Sequence, residues 1–357
     1  NYYIHYLKCF GYKHNISLSR FIDNHVVAGQ FKKDAKLDNK KPDVILTAVP
    51  SVELSQMVTH YANRNKIPVV LDIRDLWPDV FKALLPKSFG WLVNILTRPM
   101  RNRLRDICIR ATAISGITDG FINWGIAHSG RKRTEKDIHF PMAYVKGEIS
   151  EQKKVDAYFF WENLGIVKND KILNVVYLGT FTNIHEFETI FSAARILQDQ
   201  GAHVRFIFCG IGAKELEIKQ SCNELNNCIF AGWVNAAQIK IILELSDVGL
   251  APYVNTKNFI ENIPNKPPEY LSENLLIATS LVSGELCELI HSRECGFSYG
   301  SDPIKLASFL ENLAINDKDL ERLVKNAEKV FSNDLDGKKI YHSMIGYLEK
   351  IAADGSI

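Results

Sequence analysis

The sequence is organised around one stretch, Asn258-Phe-Ile-Glu261-Asn-Ile-Pro264-Asn265-Lys266-Pro-Pro-Glu269-Tyr270-Leu-Ser-Glu273. The apolar runs at 247–253 and 275–278, on either side of it, have the length and composition of buried parallel strands. A loop and a helix are expected between two such strands. The prolines predict that this helix begins near Lys266, because proline is tolerated in a first helical turn.

The start of this predicted helix combines groups that suit a sugar diphosphate. A helix N-terminus offers unpaired backbone N–H groups and a partial positive charge, and Lys266 adds a full one. Glu261 and Glu269 flank the lysine at a Glu-x7-Glu spacing. Phosphates need N–H groups and a cation, and sugar hydroxyls need carboxylate acceptors. An ordinary loop and helix start is the alternative, since acids and lysine are common in both.

The Glu-x7-Glu spacing running into Lys266-Pro-Pro-Glu269-Tyr270-Leu271 resembles the donor-site motif of retaining, nucleotide-sugar-dependent glycosyltransferases with the GT-B fold. The chain is most similar to glycosyltransferase family 4, in the branch that serves bacterial surface polysaccharides such as O-antigen and capsule. The resemblance implies that Glu261 holds sugar hydroxyls and that Glu269 holds the ribose. It also implies that Lys266 stabilises the leaving diphosphate.

The ends of other strands predicted in the second half also match the donor site of this family. Gly179 and Thr180 follow the strand at 172–178, where glycine lets a backbone approach a phosphate closely. Relatives place an arginine and a lysine in this loop, whereas this chain has Thr180 and His185, which puts the charge of the loop in doubt. The resemblance assigns donor contacts to Gly179, Thr180, Gly210, Gly212, Trp233, Val234, Tyr253 and Asn265.

Two of these assignments have simpler alternatives. Gly210 and Gly212 resemble the Gly-x-Gly that opens a helix beneath the nucleotide, but close packing of a helix on a sheet also explains them. Trp233 resembles the turn that meets the nucleobase, but a core position is the more common use of tryptophan. Both alternatives stay open from the sequence.

In the first half, a strand at 67–73 ends in Asp72-Ile-Arg74-Asp75-Leu-Trp77-Pro78-Asp79. Ligands of open α/β sheets bind outside the carboxyl ends of strands. The string is similar to the Asp-x-Arg/His-Asp-x-Trp-Pro segment of the same glycosyltransferases, which implies that Arg74 and Asp75 lie on the acceptor side. A salt-bridged strand exit is the alternative.

Residues 81–110 hold seven lysines and arginines against one acid, Asp106, with large apolar residues between them. A basic and apolar stretch of this kind suits the interface of an anionic bilayer. In the family that the chain resembles, the acceptor is often a polyprenyl-linked sugar at the membrane. The alternatives are a solvated helix face and nucleic-acid contact. Predicted membrane contacts are Trp91, Arg101, Arg103 and Arg105.

Composition indicates an ordinary globular protein, with 46% hydrophobic and 24% charged residues. A net charge of +2 does not suggest a nucleic-acid binder. The seven cysteines form no Cys-x-x-Cys pair or metal-ligand cluster, which favours a reducing, cytosolic setting. No apolar run approaches the ~18 residues that span a bilayer. We expect no metal ion and no cofactor. The resemblance, with its acceptor at the membrane, implies a location at the inner face of the cytoplasmic membrane.

The predicted fold is α/β GT-B, with two Rossmann-like, doubly wound parallel-sheet domains facing a cleft. Residues 1–150 form the acceptor-side domain, 151–336 the nucleotide-sugar domain, and 337–357 a helix that crosses back to the first. Only 41 residues precede Pro42, without the strand and Gly-rich loop that begin a complete GT-B domain. The first domain is therefore expected to be shortened.

The resulting hypothesis is a retaining, metal-independent hexosyltransferase. It moves a sugar from a nucleotide diphosphate-sugar to a glycan or polyprenyl-linked acceptor in bacterial cell-surface polysaccharide synthesis. Two alternatives remain open. A GT-B sugar-nucleotide epimerase shares the fold and nucleotide site but needs no acceptor, and a non-catalytic GT-B scaffold would fit the short first domain.

Overall fold

The computed structural model describes residues 3–12, 17–37, 40–84, 90–167 and 171–355. The chain forms two compact units. The first comprises Asn1–Pro141 and Tyr341–Ile357, and the second comprises Met142–Ile340. Each has its own parallel sheet, as the α/β pattern of the sequence predicts.

The first unit contains a three-stranded parallel sheet in the order β1-β2-β3. All five residues of the central strand are buried, which explains why this strand reads as a continuous apolar run interrupted only by Asp72. The elements before Pro141 are α1 (Leu18–Leu37), β1 (Ile45–Val49), α2 (Val52–Arg64), β2 (Val69–Ile73), a 3-10 helix (Asp79–Leu84), α3 (Gly90–Leu96), α4 (Arg98–Arg110), β3 (Ala113–Gly116) and α5 (Asp119–Ser129).

The basic residues at 131–133 predict a solvated loop and the apolar residues at 138–141 predict the last strand of the first domain, but the segment after α5 differs from both predictions. Only one parallel bridge, between Gly116 and His139, joins residues 138–141 to the sheet. A buried carboxylate holds the segment instead: Asp137 accepts from the Ile114 N–H at 2.8 Å and from Arg131 Nη1 at 2.7 Å. The arginine that was expected in solvent is thus paired in the interior of the unit.

Helix α15 (Gly337–Gly355) ends the described chain, and its residues from Tyr341 onward belong to the first unit. Tyr347 Oη donates to the Lys136 carbonyl at 2.8 Å. Ile351 packs with Val70 and Ala113 in a small apolar core. The helical period at 337–352 predicts an apolar face, and its residues Leu348 and Ile351 pack against the sheet of the first unit.

The second unit contains a six-stranded parallel sheet in the order β6-β5-β4-β7-β8-β9. Its strands are β4 (Leu173–Leu178), β5 (Val204–Cys209), β6 (Cys228–Gly232), β7 (Val248–Ala251), β8 (Leu276–Thr279) and β9 (Gly296–Ser298). The helices are α6 (Glu151–Asn163), α7 (Glu188–Asp199), α8 (Glu215–Ser221), α9 (Ala236–Glu244), α10 (Lys257–Ile260), α11 (Lys266–Ser272), α12 (Glu285–Ser292), α13 (Pro303–Ile315) and α14 (Asp317–Val330). A π-helical turn, Phe331–Leu335, follows α14.

Apolar runs at 172–178, 204–208, 228–230, 248–251 and 275–279 predict five strands in this half, and all five are present, whereas β9, α13 and α14 are not predicted. The polar residues at 148–154 predict a linker, which is wrong from residue 151 onward, because α6 begins there. Ser150 precedes that helix and Glu151 stands in its first turn, where a carboxylate is favoured by the helix dipole.

The strand order reverses between β4 and β7, and there the two strands separate. They pair only at Val175–Val248 and Val176–Gly249. Beyond that point the Tyr270 hydroxyl bridges them, accepting from the Leu178 N–H at 2.9 Å and donating to the Leu250 carbonyl at 3.2 Å.

Gly249 makes room for the Tyr270 side chain between the two strands. A Cβ at that position would lie 2.3 Å from the Tyr270 ring. The residue from α11 thus opens the sheet at the reversal point, which is the place where open α/β sheets bind their ligands.

We expect Tyr270→Phe to lower the free energy of unfolding by about 1–3 kcal/mol, because it leaves the Leu178 N–H and the Leu250 carbonyl buried without partners. Urea denaturation followed by circular dichroism measures the change. The control is Tyr158→Phe, whose hydroxyl bonds Glu244 at the surface and should matter by less than about 0.5 kcal/mol. Equal effects of the two substitutions would contradict the bridging role of the Tyr270 hydroxyl.

Candidate functional site

Three strand-end loops of the second unit meet backbone to backbone through glycines. A Cβ on Gly210 would lie 1.8 Å from the Gly179 carbonyl oxygen, and a Cβ on Gly212 would lie 2.3 Å from that of Phe181. The Gly179 N–H donates to the Cys209 carbonyl at 2.9 Å, and the Gly210 N–H to that of Gly232 at 2.7 Å. The loops after β4, β5 and β6 are therefore locked together at the edge where β4 and β7 separate.

Lys266 lies in the first turn of α11 beside this edge, and its side chain is buried. Its Nζ lies 5.5 Å from the centroids of both the Tyr177 and the Tyr253 rings. A Cβ on Gly179 would lie 2.6 Å from Lys266 Cε, so the lysine occupies the space that this glycine leaves open. Burial lowers the pKa of Lys266 to about 8, against the opposing effect of Glu269.

The helix start offers fewer backbone donors than the sequence analysis assumed. Pro267 and Pro268 occupy its second and third positions and are buried, and proline has no N–H. The Lys266 ammonium is therefore the main positive group here, rather than a row of amides.

Glu269 lies one turn further along α11 and is half-buried. Burial raises its pKa, while Lys266 and a hydrogen bond with Tyr144 lower it. Glu261 follows α10 and pairs with the exposed Lys257, with Nζ to Oε1 at 3.6 Å. The structure thus brings Lys266 and Glu269 together, whereas Glu261 is engaged with a surface lysine.

Two buried polar atoms near Lys266, His185 Nε2 and Tyr253 Oη, have no hydrogen-bond partner within the described part of the chain. Asn258 Oδ1 and Asn262 Oδ1, in the segment that leads to α11, are also buried without a partner there. The His185 and Tyr253 rings lie 5.5 Å apart, and Tyr253 also faces Lys266. Buried polar atoms are normally paired with protein, water or a ligand, so this group marks a place where a polar ligand fits.

His185 lies in the loop after β4, and it is uncharged. Burial and the neighbouring Lys266 lower its pKa to about 3. Its Nδ1 lies 3.2 Å from the Tyr177 hydroxyl. Sequence reasoning noted His185 only as a substitution and missed Tyr177 and Asn262, because no periodicity or spacing distinguishes a site tyrosine from a core one.

The remaining predicted donor residues differ in exposure. Trp233 is 69% exposed after β6, so the alternative of a core tryptophan is wrong. Val234 is buried, whereas Thr180 and Asn265 are exposed. Tyr253 is buried and stacks on Phe259, with centroids 4.7 Å apart.

In the first unit, Arg74 and Asp75 are held by their own segment. Arg74 Nε pairs with Asp72, whose buried carboxylate also accepts from Ser115 Oγ at 3.0 Å. Asp75 accepts from the Leu76 N–H at 2.9 Å, and burial raises its pKa. Arg74 thus has the salt bridge of the alternative interpretation, and the acceptor roles of both residues stay predictions.

The basic stretch at 81–110 divides into exposed and internal parts. Trp91 is 62% exposed, and with Ile95 and Leu96 it forms an apolar patch on α3. Arg101 and Arg105 line a shallow groove with Arg98 and His128. Residues 85–89, including Lys87, lie outside the described residues, as do the side chains at 82–84.

Arg103 is a correction to the predicted membrane contacts. Its Nη1 lies 3.1 Å from Oε1 of Glu53, a side chain only 3% exposed, and 3.0 Å from His25 Nε2. The repeated arginines follow helical periodicity, so one of the three turns towards the neighbouring helix.

Two Asp-x-Asp spacings occur in the chain, at 317–319 and 334–336. They lie in α14 and the turn after it, where Asp319 accepts from Asn316 and Asp334 pairs with Arg293. Across the described ranges, no three His, Cys, Asp or Glu side chains are arranged to hold a metal ion. No helix in these ranges is long and apolar enough to cross a membrane.

Residues 162–330 match the family model of glycosyl transferases group 1. The matched segment includes the glycine loops, Lys266 and Glu269. A search of curated proteins gives no match.

Solved structures with the same fold cover most of the chain at low sequence identity. Anabaena HepE in complex with UDP-glucose is 14% identical, with a TM-score of 0.60 over 94% of this chain and 84% of that one. A UDP-forming trehalose-phosphate synthase from Burkholderia vietnamiensis is 13% identical, with a TM-score of 0.68 over 96% and 80%. WaaG, a glycosyltransferase involved in lipopolysaccharide biosynthesis, is 14% identical, with a TM-score of 0.53 over 79% and 78%. The α/β fold with GT-B neighbours is therefore established.

We expect Lys266 to react with acetic anhydride with a midpoint near pH 8, because burial lowers its pKa and only the neutral amine reacts. Gly179→Ala should move this midpoint towards the ordinary value near 10.4 by displacing the side chain from its buried position. Competitive labelling at a series of pH values, with peptide mass spectrometry, measures both. Gly165→Ala is the matched control, since Gly165 also has a positive φ but open space around it. A midpoint above 10 in the unaltered protein would contradict the buried position.

Proposed function

We propose that this protein is a nucleotide-sugar glycosyltransferase whose second unit binds the donor around Lys266. One observation carries the proposal: a buried ammonium lies between two tyrosine rings, beside glycine-locked strand ends and unpartnered polar atoms. The family match over residues 162–330 supports it. The likeness to HepE, solved with UDP-glucose, makes that compound the first probe.

The donor's diphosphate would lie at Lys266 and the backbone of Gly179 and Gly210. As the bond between the sugar and the diphosphate breaks, negative charge develops on the leaving group. A fixed ammonium in a site that excludes water stabilises that charge more than it could in bulk solvent. With a pKa of about 8, Lys266 is mostly protonated at pH 7 and can act in this way.

The two ends of the donor meet different groups. Glu269 would accept from the ribose hydroxyls, and the turn with Trp233 and Val234 would meet the base. Sugar hydroxyls would donate to the unpartnered His185 Nε2 or Asn262 Oδ1. Glu261 would also accept from the sugar hydroxyls, once its weak ion pair with Lys257 is broken.

In the finer proposal, the enzyme is a family 4 hexosyltransferase that retains anomeric configuration without a metal ion or cofactor. The acceptor is a glycan, carried on a polyprenyl lipid, in bacterial surface polysaccharide synthesis, with Arg74 and Asp75 on the acceptor side. The shared fold with WaaG is consistent with such a setting. An anionic bilayer on the cytoplasmic side would contact the arginine groove and the exposed Trp91.

We expect Lys266→Met to weaken UDP-glucose binding about 10- to 100-fold, because it removes a charge-assisted hydrogen bond while keeping the length of the side chain. Isothermal titration calorimetry measures the affinity. Lys257→Met, which removes an exposed lysine from the same loop region, is the control and should change little. Binding to the unaltered protein should weaken as the pH rises through about 8, where Lys266 loses its proton, and this dependence should vanish in Lys266→Met.

Equal affinity in the lysine variants would remove the assigned role of Lys266. Incubation of the protein with UDP-glucose alone tests the activity class. A new sugar nucleotide formed without an acceptor would identify an epimerase instead, and binding without transfer to any lipid-linked glycan would favour a scaffold.

We expect the protein to float with vesicles that contain phosphatidylglycerol but not with neutral phosphatidylcholine vesicles, because the arginine groove attracts anionic headgroups. Arg101→Glu with Arg105→Glu should abolish flotation. Lys318→Glu with Lys325→Glu, two exposed lysines of α14, is a control of equal charge change. If the unaltered protein does not float with the anionic vesicles, the proposed membrane contact is contradicted.

A further inference from the structure

The loop after β4 is joined through its backbone to the chain that leaves β7. The Glu186 N–H donates to the Pro252 carbonyl at 2.7 Å, and an isolated antiparallel bridge pairs His185 with Tyr253. The N–H of the residue after Tyr253 donates to the carbonyl of the residue before His185 at 3.1 Å. The backbone of His185 is therefore held on both sides, and its side chain starts from a fixed position.

Aromatic side chains surround the imidazole ring of His185. Its centroid lies 5.5 Å from that of Tyr177, 5.5 Å from that of Tyr253 and 6.0 Å from that of Phe187. The ring is neutral, because burial and the charge of Lys266 lower its pKa to about 3. A neutral imidazole has one N–H donor and one bare nitrogen that accepts. Which nitrogen is bare decides what the ring can bind.

Tyr177 sets the position of the imidazole proton. Its hydroxyl donates to the Thr180 carbonyl at 3.0 Å, and its oxygen lies 3.2 Å from His185 Nδ1. A hydroxyl has a single hydrogen, so this oxygen meets Nδ1 with a lone pair. Nδ1 therefore carries the proton, because a bare nitrogen would face that lone pair without a hydrogen between them. His185 Nε2 is then the bare acceptor.

This acceptor has no donor within the described part of the chain. His185 Nε2 is buried there without a hydrogen-bond partner. A buried acceptor that stays unpaired costs free energy, so a ligand that donates to it gains affinity. A hydroxyl or an amide N–H can donate, whereas a phosphate oxygen is itself an acceptor and is repelled.

The place of His185 along the strand ends indicates which part of a donor reaches it. The strands stand in the order β6-β5-β4-β7. Trp233, at the proposed base, follows β6, and Gly210 and Gly179, at the proposed diphosphate, follow β5 and β4. His185 lies one step further from the base, where the loop after β4 meets the end of β7. In a nucleotide-sugar, the group beyond the diphosphate is the sugar.

We propose that His185 is a specificity-determining residue whose Nε2 accepts a hydrogen bond from one hydroxyl of the transferred sugar. The inference rests on the proposed function. A fixed acceptor selects a sugar that carries a hydroxyl at the matching position, because a deoxy sugar leaves the acceptor unpaired. Charge neutralisation of the diphosphate is left to Lys266.

The substitution His185→Phe keeps a planar ring and removes both nitrogens. It should weaken binding of a nucleotide-sugar about three- to tenfold, the effect of one hydrogen bond. Affinity for the corresponding nucleoside diphosphate should change less than about twofold, because no bond to a sugar is lost. One deoxy-sugar analogue should bind the unaltered protein more weakly than its parent does, and this difference should vanish in His185→Phe.

The experiment measures binding of UDP-glucose, UDP-N-acetylglucosamine, GDP-mannose, UDP and GDP by calorimetry at neutral pH. The nucleotide-sugar that binds most tightly is then compared with its deoxy-sugar analogues. The proteins are the unaltered chain, His185→Phe and the control His203→Phe, which replaces an exposed histidine just before β5. Circular dichroism and the melting temperature check folding.

Nitrogen NMR of the histidine rings gives a readout that depends on no variant, because protonated and bare ring nitrogens have different chemical shifts. In the unaltered protein, one ring with a bare Nε2 should show a shift of that signal when the nucleotide-sugar is added. The nucleoside diphosphate alone should not produce this shift. Where His185→Phe folds, the absence of the signal assigns it to His185.

Four outcomes would overturn the inference. Equal weakening of nucleotide-sugar and nucleoside diphosphate in His185→Phe would remove the sugar contact, and so would a His185 ring protonated at Nε2. Unchanged affinities in His185→Phe, with tight binding by the unaltered protein, would remove the role of His185 and leave the proposed function standing. Failure of the unaltered protein to bind any of the five compounds would remove both.

Discussion

The site of the second unit depends on keeping one ammonium group away from water. Lys266 is buried beside the rings of Tyr177 and Tyr253. The charge of Glu269 raises the pKa of this lysine, against the larger effect of burial. A buried charge without close partners is costly. The fold tolerates it here because aromatic faces attract cations and because Gly179 leaves room for the side chain. A diphosphate would supply the missing negative charge.

The surrounding structure serves this arrangement through close backbone contacts. Gly210 and Gly212 let the loop after β5 approach the loop after β4 more closely than any side chain would permit. Tyr270 separates β4 from β7 on the other side. Lys266 therefore lies at an opening at the edge of the sheet. Close glycine contacts fix one side of this opening, and the buried phenol of Tyr270 fixes the other.

Most of the architecture of the second unit could be predicted from the sequence, because buried parallel strands appear as short apolar runs and the start of α11 is marked by prolines. The apolar runs and the prolines placed Lys266 and Glu269 at the start of a helix between two strands, where the structure has α11. The short strand β9 escaped notice, since the three residues Gly296–Ser298 carry too little periodicity to identify.

Side-chain direction is what the sequence could not supply. Arg103 lies between Arg101 and Arg105 and looks the same in the sequence, yet helical rotation turns it towards the buried Glu53. His185 could be read as a weak substitute for a lysine, but its lost charge follows from burial.

The adjacent prolines at the start of α11 have a mechanical consequence. Their rings fix φ and prevent the helix from extending backwards beyond Lys266. Residues 261–265 and the helix are consequently two separate pieces that meet at Asn265. Glu261 and Lys266 are therefore carried by different pieces of backbone, so a shift of the segment before the helix leaves the ammonium in its place beside the sheet.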